Sequence, residues 1–139
     1  MQESQKRIRS PLSRAALAIG ALLSLVGCAR PDVREGALYT TKETDGSYGI
    51  VKVLKKDDGG VHLRVYSNRF EARPTSVRES DLYMAGMDSK PGEQMGMGHA
   101  PISWRSFRTW GAEFVQASSV AESELEGYRM WQEAEGGYF

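Results

Sequence analysis

A single cysteine and two histidines in 139 residues remove most of the chemistry that a small protein can carry. One cysteine cannot make an internal disulfide, so no covalent staple holds the fold. Structural zinc needs several thiolate or imidazole ligands at short spacings, whereas His62 and His99 are 37 residues apart with no patterned carboxylate beside them. No serine stands in a Gly-x-Ser-x-Gly elbow. Gly92, Gly96 and Gly98 neither follow a strand nor precede a Lys-Ser or Lys-Thr pair, which excludes a phosphate-binding loop. Neither sign of charge is in excess, with 18 basic and 18 acidic residues, a balance that argues against a nucleic-acid partner, which calls for a clustered basic surface. Repeats and low-complexity tracts are missing too, and no apolar run reaches the roughly 20 residues of a membrane-spanning helix.

What is present first is an address. Lys6, Arg7, Arg9 and Arg14 form a basic segment ahead of Ala15–Val26, a mostly apolar run of 12 residues, and this order of parts is that of an export signal. The run ends at Leu25-Val26-Gly27-Cys28, three apolar or small residues before the only cysteine. This tetrad resembles the lipobox of bacterial lipoproteins. The resemblance covers residues 1–28 alone. It implies that residues 1–27 are a signal peptide cut off before Cys28, that Cys28 carries acyl chains such as palmitate, and that the mature protein is fixed to a membrane of the cell envelope. Ala29, a non-acidic residue after the cysteine, resembles the outer-membrane address of lipoproteins in Gram-negative bacteria.

Taking four basic residues and Glu3 away with that signal leaves 14 basic against 17 acidic, a mildly acidic mature chain. Removing 27 of 139 residues leaves 112, which fit one domain. Ala29–Gly36, with Pro31, the alternating charges Arg30, Asp32, Arg34 and Glu35 and no apolar period, reads as a tether. The expected division is a signal peptide over 1–27, a lipidated cysteine and tether over 28–36, and a globular domain over 37–139.

Within that domain, Ala37–Thr41 reads as a first strand, followed by an Asp45-Gly46 turn. Tyr48–Lys55 and Val61–Ser67 predict a β-hairpin around Lys56–Gly60, whose glycines suit a tight connection. Val61, Leu63 and Val65 alternate with His62, Arg64 and Tyr66, so the first set is expected in the core and the second outside with Lys52 and Lys55. Pro74 limits any continuation of that strand through Asn68–Arg73, and Ser76-Val77 with Asp81–Met84 suggest one further short strand. Ala85–Gly98, with four glycines and Pro91, reads as a mobile loop.

Trp104, Phe107, Trp110 and Phe114 recur at spacings of three, three and four, an apolar stripe that predicts a helix over 102–115. Ser119 and Glu122 have capping-box spacing for a second helix over 120–134, in which Leu125, Tyr128 and Trp131 share a face and after which Gly136-Gly137 ends the element. The expected fold class is α+β: a small antiparallel β-sheet or SH3-like partial barrel covered by two C-terminal helices, with Val53, Leu63, Val65, Trp104, Phe107 and Trp131 in the core. The pattern Glu124–Arg129, Trp131 and Gly136–Phe139 resembles the endings of small uncharacterised bacterial proteins, a likeness that implies no activity.

These residues point away from an enzyme, because Glu122, Glu124, Glu126 and Glu133 read as a solvated helix face and no other catalytic set is present. The expected function is a non-enzymatic, lipid-anchored binding module of the cell envelope, without a cofactor. Its contact face would be Lys52, Arg64 and Tyr66, meeting an envelope protein or an anionic envelope component. A solvated strand face is the plain alternative for such alternating charges. A second functional reading rests on Met84, Met87, Met95, Met97 and His99, which fall within 16 residues. Thioethers are soft donors that favour Cu(I), while the plainer reading is methionines that fill gaps or decorate a loop.

Overall fold

Alternation of apolar and polar residues places strands on both sides of a central hairpin. In the computed structural model, which describes residues 30–139, β1 (Leu38–Lys42), β2 (Tyr48–Lys56), β3 (Gly60–Val65), β4 (Met97–Ser103) and β5 (Glu113–Gln116) form one sheet. The strand order is β4-β3-β2-β1-β5, with every neighbouring pair antiparallel. The expected signal peptide, Cys28 and Ala29 lie outside the described residues. The fold is α+β as expected, and the sheet is open: β4 and β5 are its edges and no barrel closes.

The β2–β3 hairpin forms where the alternation is cleanest, pairing Val51 with Val65 and Val53 with Leu63. Asp57 turns it, its carboxylate accepting the Gly59 N–H at 2.8 Å and the Gly60 N–H at 3.1 Å. Gly60 has no alternative here, because an added Cβ would lie 2.1 Å from the Ile102 carbonyl oxygen of β4.

One sheet face carries Tyr39, Val51, Val53, Val61, Leu63, Val65, Ala100 and Ile102, packed beneath Trp104 and Phe107. Those two aromatics sit on α1 (Trp104–Arg108), which is much shorter than the helix expected over 102–115. Ser103 caps its start by accepting the Ser106 N–H, and Gly111, at φ +58°, turns the chain into β5. Phe114 therefore leaves the helical stripe and stands on the edge strand, edge-on to Tyr39 with ring centroids 5.8 Å apart. Val53, Leu63, Val65, Trp104 and Phe107 are core residues.

The opposite face departs most from the expectation of an exposed surface. Leu38, Ile50 and Tyr66 are buried there beneath Phe70, Val77, Leu82 and Val115. Residues 76–84 form no strand; Glu79–Asp81 is a turn of 3-10 helix, and Ala85 makes an isolated bridge with Met95. Met97–His99 belong to β4, not to the loop, since pairing with β3 outweighs their glycine-rich setting. The last helix also differs. A 3-10 turn over Glu122–Leu125 leads into α2 (Glu126–Glu133), and the Ser119–Glu122 capping box is not made: the Ser119 carbonyl accepts from Lys52 while Glu122 pairs with Arg129. α2 buries no residue completely, so Trp131 is a half-buried cover and not a core residue.

The tether reading of residues 30–36 is corrected as well. Val33 is buried in the main core, Gly36 N–H donates to the Val53 carbonyl at 2.7 Å, and Lys56 Nζ donates to the Val33 carbonyl at 2.8 Å. Arg34 lies over the Phe114 ring at 5.4 Å. A charge pattern without period disguised a segment that a few specific contacts hold against the sheet.

Candidate functional site

Lys52, Arg64 and Tyr66 do not form a free contact face. Lys52 is 5% exposed and its Nζ donates to the Ser119 carbonyl at 3.0 Å and to the Glu124 carboxylate at 3.1 and 3.3 Å. Arg64 Nη1 meets the same carboxylate at 3.1 Å, and Tyr66 is buried against Leu38 and Ile50. Burial raises the Tyr66 hydroxyl's pKa above its ordinary value. Burial also opposes ionisation of Glu124, but the Ala121 N–H and the Lys52 ammonium, with the Arg64 charge, offset it and hold the carboxyl below its ordinary range. The expected face for an anionic partner is thus an internal ion cluster, and β2 and β3 alternate between two covered faces.

His62 and His99, apart in sequence, meet in space because β4 pairs with β3 and sets their strands side by side. His62 is completely buried, with Nδ1 2.9 Å from His99 Nε2 and Nε2 3.1 Å from Asp57 Oδ2. A carboxylate only accepts, so His62 Nε2 carries the hydrogen, and in the neutral pair His99 Nε2–H donates to His62 Nδ1. The Tyr138 hydroxyl donates to the same Asp57 oxygen in a short hydrogen bond. Tyr128, Trp131 and Tyr138 close around His62 with centroid separations of 4.7, 4.6 and 5.4 Å. Burial, then the neighbouring His62, keeps His99 below the ordinary histidine pKa. Asp57 is opposed by burial, but the hydrogen bonds from Tyr138 and His62 and from the turn amides hold it low, while burial and Asp57 together push the Tyr138 hydroxyl far up. His62 is sealed from solvent, and the cluster forms a polar latch beneath α2. Sequence spacing alone hid it; the one legible signal was a histidine in a clean strand alternation.

The methionines separate into placed and free. An added Cβ on Gly96 would lie 2.5 Å from Met84 Cβ, so Met84 packs on the segment that holds Met95 and Met97. Met87 stands apart at 92% exposure. His99 is engaged with His62 and leaves the expected metal set. Among the described residues, no group of three or more His, Cys, Asp or Glu side chains could hold a metal ion.

An open hollow of about 390 Å³ lies on the α1 side of the sheet. Val51 and Val65 form its floor, Met97 and Trp110 its apolar sides, and Lys42, Glu43 and Gln94 part of its rim. Trp110 is set there by α1, its ring 6.2 Å from that of Phe107, and its carbonyl accepts the Lys42 N–H at 3.2 Å. The spacing of Trp104, Phe107 and Trp110 matches a buried helical stripe and carries no sign that Trp110 walls a cleft. Among the described residues, no helix is long and apolar enough to cross a membrane. No family model, no curated protein and no solved structure matches this chain.

Proposed function

We propose that this chain is a non-enzymatic, lipid-anchored binding module of the bacterial cell envelope, attached through Cys28 and meeting another envelope protein at the Met97–Trp110 cleft. The cleft is the observation that carries the binding reading. Its apolar floor is continuous with a methionine-bearing segment in which Met84, Met95 and Met97 are all exposed, and methionine and tryptophan suit adaptable protein contacts. Lys42 and Glu43 give its rim both signs of charge, which favours a protein segment over an anionic polymer. The docking of residues 31–36 supports work close to a membrane. Three residue steps from Cys28 to Pro31 reach about 10 Å at most, so a domain anchored at Cys28 would stay that near the bilayer.

Photocrosslinking in intact cells from a probe at Thr109, beside the cleft, tests the reading. The expected result is one specific envelope protein whose capture falls at least tenfold with Trp110→Ala in an equally abundant, folded chain. Equal capture by that variant would move the contact elsewhere, and turnover of an envelope substrate by the purified protein would end the non-enzymatic reading.

A second reading, Cu(I) binding, is favoured by one observation: the Ala85–Met95 bridge sets the Met84 and Met95 segments side by side. Its donors are Met84, Met95 and Met97, without His99. Anaerobic Cu(I) titration should then lose most of its affinity in a chain carrying Met95→Leu and Met97→Leu, and unchanged binding in that variant would remove the site.

A further inference from the structure

The chain's C-terminal residues are held to the sheet by an unusual fastening. Tyr128 and Trp131 of α2 and Tyr138 beyond it gather on His62 and His99, while Phe139 bonds the β4 edge, its N–H to the Pro101 carbonyl and its carbonyl from the Ser103 N–H, at 3.0 and 2.8 Å. α2 itself contributes no fully buried side chain.

We propose that the His62–His99 pair is a proton-operated clasp that holds residues 126–139 on the sheet when neutral and releases them on acidification.

The number of hydrogens the closed pair can hold sets its response to acid. His62 Nδ1 and His99 Nε2 are 2.9 Å apart, room for a single hydrogen between them. His62 Nε2 already carries one toward Asp57, so the closed pair accepts one extra proton, on His99 Nδ1 or equivalently by sharing. A second would set two N–H groups against each other. An imidazole separated from such a partner and in water has an ordinary value of about 6.5. Opening therefore takes up one proton where the closed pair already holds its extra one and two where it is neutral, and the opening constant rises by up to about tenfold per pH unit for each proton taken up.

The groups facing the pair agree with this sign. From the β2–β3 turn comes Asp57, from α2 come Tyr128 and the Trp131 ring, and from the C-terminal residues comes Tyr138; Glu126, Arg129 and Glu133 of α2 are exposed. Asp57 is, among the described residues, the single anion in contact with His62 and balances one proton, not two. His99 is held below its ordinary pKa, so its share of stability is full above about 6.5 and is lost as pH falls through its folded value. Asp57, held low, loses its share only beneath the ordinary carboxylate range, so histidine release comes first. Opening bares Gly60 and the main chain of Pro101 and Ser103, an unpaired sheet edge.

Hydrogen exchange of the full chain between pH 7.5 and 5, corrected for intrinsic rates, tests the clasp. Amides over 128–133 should lose protection below pH 6.5, by up to about tenfold per pH unit for each proton taken up, while those of Ile50–Val53 keep theirs. His99→Gln should abolish that dependence, because glutamine can give an N–H to His62 Nδ1, or accept one, without titrating. Unchanged protection of 128–133 down to pH 5 would overturn the proposal. So would equal acid release in the glutamine variant, or loss of protection in β2 at the same pH. Imidazole nitrogen resonances of the unaltered chain give a second reading that needs no variant: uptake of two protons by the pair with residues 126–139 still protected would also overturn it.

Discussion

Glu124→Leu is the sharpest perturbation of the covered sheet face. It leaves the Lys52 ammonium, 5% exposed, without the carboxylate it contacts at 3.1 and 3.3 Å. The Ser119 carbonyl at 3.0 Å and Glu79 at 3.7 Å remain, and Glu79 is much the more exposed acid, so solvent screens it. Removing one partner of a buried pair costs about 3–5 kcal/mol, and the residual Glu79 contact argues for the lower end, about 3 kcal/mol. A small domain has a urea dependence of about 1–3 kcal/mol per molar, so the midpoint of unfolding should fall by about 1–3 M. Replacing both partners, with Lys52→Met beside Glu124→Leu, should recover only part of that loss, because the ammonium is no longer stranded while the Arg64 guanidinium still lacks the carboxylate it met at 3.1 Å. The pH profile supplies a further check. Glu124 is held below its ordinary value of 4.5, so its stabilisation is complete above that value and drains away as pH falls through the folded one. The variant should lack that acid limb. A loss under about 1 kcal/mol for Glu124→Leu at neutral pH would mean that Lys52 escapes to solvent and that the face is not sealed.

Trp104→Ala should cost about 3–5 kcal/mol in urea melts, as a core aromatic whose Nε1–H also donates to the Asp57 carbonyl at 2.8 Å. Trp131→Ala, removing a half-buried cover, should cost clearly less and should raise hydrogen exchange over 126–139 selectively; equal losses would place the two tryptophans in one core. Val33→Asp should destabilise by about 3 kcal/mol or more, since it puts a charge among buried apolar residues, and a neutral effect would restore the free-tether reading of residues 30–36.

The hairpin was legible because Val61, Leu63 and Val65 alternate with polar residues and Asp57-Asp58-Gly59-Gly60 marks the turn. Local pattern carried that much. It misjudged the polar set, since a strand whose second face is covered by charged partners, Glu79 and Glu124, has the same alternation as one whose second face meets water. The Trp104–Phe114 stripe failed for a different reason: Gly111 at φ +58° ends the helical period, and residues 113–116 find a strand partner in β1, 73 residues away at the Thr40–Glu113 contact. The His62–His99 latch depends on β3–β4 register, which no local period encodes. Neither did the composition of residues 30–36 reveal their docking, which rests on one valine and a few main-chain bonds.

The anchor at Cys28 is the claim on which the envelope reading stands, and mass spectrometry of the protein taken from a membrane fraction tests it most directly. The expected result is an N-terminus at Cys28, residues 1–27 gone, and acyl mass on the cysteine that resists alkylation. A chain that retains residues 1–27, or a Cys28 thiol that alkylates freely, would contradict it.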